Sequence, residues 1–136
     1  MNERVAHLWA DALDSGEYRQ GTGRLRKMDD GESYCCLGVL CELHRRETKN
    51  GEWVHCLDDS WNYRDSSGCW SGEQLTPLVR EWAGLHTDSP EIPAAIPSEA
   101  DEDDRSVAEL ITELNDSWGW EFERFAISIR DKFRSM

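Results

Sequence analysis

No stretch of this 136-residue chain carries a catalytic signature with a mechanism behind it. There is no internal repeat, no C-x-x-C pair and no apolar run near the length of about 20 residues that spans a bilayer. The N-terminal MNERVAHLWADAL lacks the basic flank and unbroken apolar run of a secretory signal, so a cytosolic protein with reduced thiols is expected. Basic residues are scarce: 15 Lys and Arg against 28 Asp and Glu leave a formal net charge of -13. Such a charge repels nucleic acid and anionic membrane, and a basic protein surface suits it better. The five cysteines, Cys35, Cys36, Cys41, Cys56 and Cys69, are odd in number and irregularly spaced, which argues against a disulfide framework. With His44 they supply the ligand types of a tetrahedral zinc. On a helix, however, Cys36 and Cys41 diverge, so buried apolar thiols are the preferred reading and no cofactor or metal is expected.

What is present is a hydrophobic centre. From Tyr34 to Cys41 almost nothing is polar, and Leu37, Leu40, Cys41 and His44 then follow helical spacing, so Ser33 to Arg46 reads as a short strand turning into a buried helix. Val5, Leu8, Trp9, Ala12 and Leu13 predict a first helix capped by Asn2 and ended by Gly16. Glu17 to Glu32 reads as a loop or edge strand anchored by Leu25 and Met28. Asn50-Gly51 predicts a tight turn with positive backbone angles before a strand around Trp53 to Leu57. Asp65 to Gly68 marks a hairpin between aromatic segments. Thr76-Pro77 starts a short helix that Gly84 stops. Asp88 to Asp104, broken by prolines and an acidic run, reads as a solvated loop, and Ser106 with Glu109 forms a capping box for a helix through Leu114. Phe122 to Phe133 closes the chain as an amphipathic helix, paired with its predecessor in a hairpin. The sum is an α+β chain: a mainly helical single domain over 1–136 with a small antiparallel sheet.

The chemical constellations are few. A cysteine nucleophile needs an imidazole, which His44 or His55 offers only if the fold brings one close. Gly21-Thr22-Gly23-Arg24 neither follows a predicted strand nor opens a helix, so a plain turn is preferred to a phosphate cradle. A polar pocket drawn from Arg24, His55, Asn115 and Asp116 is the small-ligand alternative, although Asn115 and Asp116 equally suit a helix terminus. Asp101, Glu102, Asp103 and Asp104 repel one another, and either aid solubility or present charge to a basic surface. Trp61, Trp70, Trp118 and Trp120 sit beside turns, where exposed tryptophan near carboxylates suits an interface.

Cys35-Cys36-Leu37-Gly38-Val39-Leu40-Cys41-Glu42-Leu43, Arg80-Glu81-Trp82-Ala83-Gly84-Leu85 and Glu113-Leu114-Asn115-Asp116 together resemble a family of small bacteriophage and prophage proteins carrying a CCLGVLC segment and a C-terminal LND motif. The likeness runs over most of the chain and departs at Trp118-Gly119-Trp120 and between Leu57 and Gly72. It carries over no activity, cofactor or catalytic residue. It implies an acidic phage-encoded accessory protein in the bacterial host cytoplasm. Such a protein binds and inhibits a host protein with a basic surface, as an anti-defence or host-takeover factor and a possible nucleic-acid mimic, without touching nucleic acid or membrane itself. A nucleotide-binding or enzymatic role and a structural role in the phage stay open beside it.

Overall fold

Asn2 accepts a hydrogen bond from the Val5 amide and opens α1, Glu3–Asp14, which buries Val5, Ala6, Trp9, Ala10 and Leu13. The computed structural model describes residues 1–28, 31–85, 91–93, 108–110, 115 and 119–136. After α1 come β1 (Arg26–Met28), β2 (Glu32–Tyr34), α2 (Cys36–Thr48), β3 (Gly51–His55), β4 (Ser60–Asp65), β5 (Trp70–Ser71) and α3 (Pro77–Ala83). Next are β6 (Glu91–Pro93), β7 (Ala108–Leu110) and α4 (Phe122–Lys132), followed by a 3-10 turn at Phe133–Ser135. The fold is α+β and mainly helical, with a five-stranded antiparallel sheet ordered β2-β1-β4-β3, β5 pairing with the far end of β4. Among the described residues no helix is long and apolar enough to cross a membrane.

Helix α2 is the centre. Its residues Cys36 to His44 are all buried, against the sheet on one side and α1 on another, and α1 packs in turn along α4. Gly38 is what brings α2 so close: a Cβ there would overlap the Leu25 carbonyl, whose oxygen already accepts from the Cys35 amide at 3.1 Å. The Trp9 indole donates to the Cys36 carbonyl at 3.0 Å, tying α1 to the same turn. No two of the five cysteines form a disulfide: Cys35, Cys36 and Cys41 are buried, Cys56 is partly buried and Cys69 is exposed.

Several expectations change. β1 is not an edge or a loop, because β2 and β4 flank it on both sides. Asn50-Gly51 adopts no positive φ; the left-handed residue is Lys49, which caps α2, and Gly51 instead makes room for the Tyr63 hydroxyl. Ala108–Leu110 is a strand paired with Glu91–Pro93, not helix or open loop. There non-local pairing outweighs the capping-box signal, and the alternation Ala108, Glu109, Leu110 serves a strand as well as a helix. The acidic run Asp101 to Asp104 and Ser106 lie outside the described residues, as do Asp116 and Trp118.

Gly38→Ala tests the central contact. Alanine in a helix ordinarily gains up to about 1 kcal/mol over glycine. Here it is expected to cost about 2–3 kcal/mol through overpacking against backbone, read as a lower urea midpoint at unchanged slope.

Candidate binding surface

The register of β3 and β4 sets His55 opposite Trp61 and Trp53 opposite Tyr63, while β1 sets Arg26 opposite both Trp61 and Tyr34. Facing residues of antiparallel strands project to one side, so all six share the sheet face that α2 only partly covers. The Arg26 guanidinium lies 4.4 Å from the Trp61 ring centre, 5.4 Å from Trp53 and 5.5 Å from Tyr34. Each such contact contributes roughly 0.5–2 kcal/mol. Glu32 pairs with the same guanidinium. His55 and Trp61 meet edge to face at 4.8 Å. Two buried donor atoms, the Trp61 indole nitrogen and Arg26 Nε, find no acceptor among the described residues.

This cluster ends at the turn between β3 and β4. There Leu57 is fully exposed and Asp59 adopts φ 59, and the Met28 amide donates to the Asp59 carbonyl at 2.7 Å. Met28 is 44% exposed, so two large apolar side chains stand in water beside a half-buried Trp–Arg stack. Beside them are the carboxylates of Glu32 and Asp59, while that of Asp58 turns to Ser60 on the other sheet face. Hydrogen bonding to Ser60 holds the Asp58 carboxyl below its usual range. The patch therefore presents an apolar and aromatic centre within an acidic rim.

Behind the patch a buried polar network fixes the strands to α2. Burial opposes the charge of Glu42, but hydrogen bonds from Arg45, Trp53 and Arg46 win and hold its carboxyl below the usual range. His44 Nδ1 meets the Tyr63 hydroxyl at 2.7 Å, and burial pushes the imidazole down and the phenol up. Asp65 is buried as well, yet the Ser67 amide and hydroxyl keep its carboxyl low.

A family model described as Domain of unknown function (DUF8296) matches residues 1–133. The chain belongs to that family. No curated protein and no solved structure matches it.

Against this DUF8296 fold, the residues singled out in the sequence separate. Trp61 and His55 come together in the patch. Trp70, 57% exposed, stands opposite Arg64 at the other end of β4. Trp120 is not a surface residue: it is 4% exposed and packs between Phe125 and the Arg124 guanidinium, because the chain around Gly119 turns it into the core. Arg24 does not join His55, since it bonds Asn62 at 3.2 Å on the opposite sheet face, beside a cleft of about 310 Å³ lined also by Lys27, Met28, Asp58, Asp59 and Ser60. Asn115 is buried, donating to the Gly21 carbonyl and accepting from Gln20, so it staples the segment before β1 to the C-terminal part. No group of three metal-ligating side chains exists among the described residues. Sequence reasoning missed Arg26, Trp53, Tyr34, Met28 and Leu57. For Trp53 the signal was the period-two run of rings, Trp53-His55 and Trp61-Tyr63, on adjacent segments; the other four carried none.

The DUF8296 network makes stability depend on pH. His44, Glu42 and Asp65 all have folded values below their unfolded ones, so the unfolded chain binds protons more readily. Their contribution is complete above the unfolded values and is lost as pH falls. The melting temperature is expected to decline first as pH drops below about 6.5 through His44, then steeply below about 4 through the carboxylates. His44→Gln should remove the upper phase only, as measured by calorimetry across pH 3–8.

Proposed function

We propose that this protein is an acidic binding protein, phage-encoded by its resemblance, that occupies a basic surface on a host protein and inhibits it. The observation that carries this reading is the patch at the end of the sheet. Trp and Arg are the side chains on which interface energy concentrates, and here they sit stacked and half-buried, flanked by exposed Leu57 and Met28. Large apolar side chains in water beside an acidic rim suit a partner whose own centre is apolar and whose border is basic. The net charge of -13 adds a long-range field that attracts such a surface and imitates the field of nucleic acid. Asp101, Glu102, Asp103 and Asp104 contribute to that steering, and Trp70 offers a second exposed contact.

A second reading has its own observation: Arg24 and Lys27 border the cleft on the opposite sheet face, a place for a small anionic ligand such as a nucleotide. A raised melting temperature with a nucleotide library would select it, since a ligand that binds only the folded state stabilises that state.

The immobilised protein is expected to retain a basic protein from bacterial lysate in one-to-one amounts at low salt. Recovery should fall with added salt as the charges are screened beyond about 10 Å at 0.1 M. Trp61→Ala should weaken the isolated complex by about 2 kcal/mol, roughly thirtyfold. Replacing Asp101, Glu102, Asp103 and Asp104 by their amides should mainly slow association. Equal retention by all forms at both salts contradicts the reading.

A further inference from the structure

β3 leaves one row of its backbone groups unused. The Cys56 amide donates to the Ser60 carbonyl at 2.8 Å, so that pair is hydrogen-bonded. In an antiparallel ladder bonded pairs alternate with unbonded ones, which assigns the bonds to β4 to Val54 and Glu52. The N–H and C=O groups of Gly51, Trp53 and His55 therefore point away from β4, toward an edge where no described residue pairs with them. The opposite edge of the sheet is treated differently. On β2, the Tyr34 amide donates to the Arg19 carbonyl and its carbonyl accepts from the Gly21 amide, so the segment before β1 covers that side. β3 has no proline, lysine or bulge, the devices that usually blunt a bare edge. It is also held firmly, because the Trp53 indole donates to Glu42 at 2.9 Å.

We infer that the β3 edge, Gly51 to His55, receives an extended basic segment of the protein partner as an additional antiparallel strand. This rests on the binding role proposed above and names the surface and the kind of segment. An added strand bonds through the main chain and draws specificity from alternate side chains. Glu52, with a side chain 55% exposed, lies on one face of the edge, paired on its inner side with Arg64, and Asp59, 71% exposed, stands beside His55 at the turn end. Cationic side chains on the incoming strand meet these carboxylates, and an apolar side chain directly opposite Trp53 extends the aromatic face. A second copy of this chain is disfavoured as occupant, because it would bring a further charge of -13 to the same edge.

The test uses capped hexapeptides of alternating Lys and Val, or of alternating Glu and Val, with hydrogen exchange read at single amides. With the Lys–Val peptide, the Trp53 and His55 amides are expected to exchange at least tenfold more slowly, and the Glu–Val peptide is expected to protect neither. His55→Pro removes an edge donor without touching the bonds to β4, as edge strands tolerate, and should weaken Lys–Val binding at least tenfold, whereas His55→Ala, which loses the imidazole on Trp61 but keeps the donor, should not. If the proline variant melts early, Glu52→Gln, which sets no cation opposite Arg64, carries the test and should weaken the Lys–Val peptide while leaving the fold intact. Binding lost in Trp61→Ala but unchanged in His55→Pro, with both amides unprotected, overturns the edge inference and leaves the partner reading standing. Protection that arises with protein concentration alone, in a dimer, overturns it in favour of self-pairing.

Discussion

The structure depends on one backbone contact, the Leu25 carbonyl seated against Gly38 at the start of α2. A helix and a strand do not normally approach so closely, because a Cβ stands between them; here its absence admits a carbonyl that the Cys35 amide also holds. The Trp9 indole bonds the next carbonyl, at Cys36, so α1, α2 and β1 are joined within one turn of helix. With that junction fixed, Leu37, Val39 and Leu40 of α2 fill the space between the sheet and α1 with no exposed surface of their own.

From the junction, position is passed to the surface by polar contacts that have few alternatives. Glu42 projects from α2 and receives the Trp53 indole N–H, and His44, two residues on, shares a hydrogen bond with the Tyr63 hydroxyl. Buried groups of this kind are costly when unpaired, so each specifies where its partner strand must lie. Gly51 takes part by having no side chain where the Tyr63 hydroxyl sits. The result is a rigid base under β3 and β4, on which Arg26, His55 and Trp61 stand. A surface so held loses little side-chain freedom when a partner covers it.

The helices were legible because their signals are local. Asn2, Thr76-Pro77 and Gly84 mark ends through the backbone groups they satisfy or the angles they adopt, and the apolar stripes of α1 and α4 repeat at helical spacing. The sheet was less legible because its register depends on distant pairings. Nothing within Arg26–Met28 distinguishes an inner strand from an edge, and that difference comes only from β2 and β4. The turn that sets His55 against Trp61 places Asp59, not glycine or asparagine, in the left-handed region, so it carries no strong turn signal. Trp120 was misjudged for a similar reason: a position beside Gly119 suggests exposure, while burial is decided by Phe125 and the rest of α4.

The central claim is that the Trp61–Arg26 cluster at the end of the sheet is where a basic protein partner binds. Seven tryptophans give seven indole N–H groups, and a nitrogen–proton correlation spectrum follows each during titration with that partner. The account predicts that the Trp61 indole, whose half-buried ring stacks on Arg26 within the patch, moves most, while the buried Trp9 and Trp120 indoles stay in place. A titration in which Trp61 is unmoved and the largest shifts fall on Trp70 or on the core indoles would contradict it.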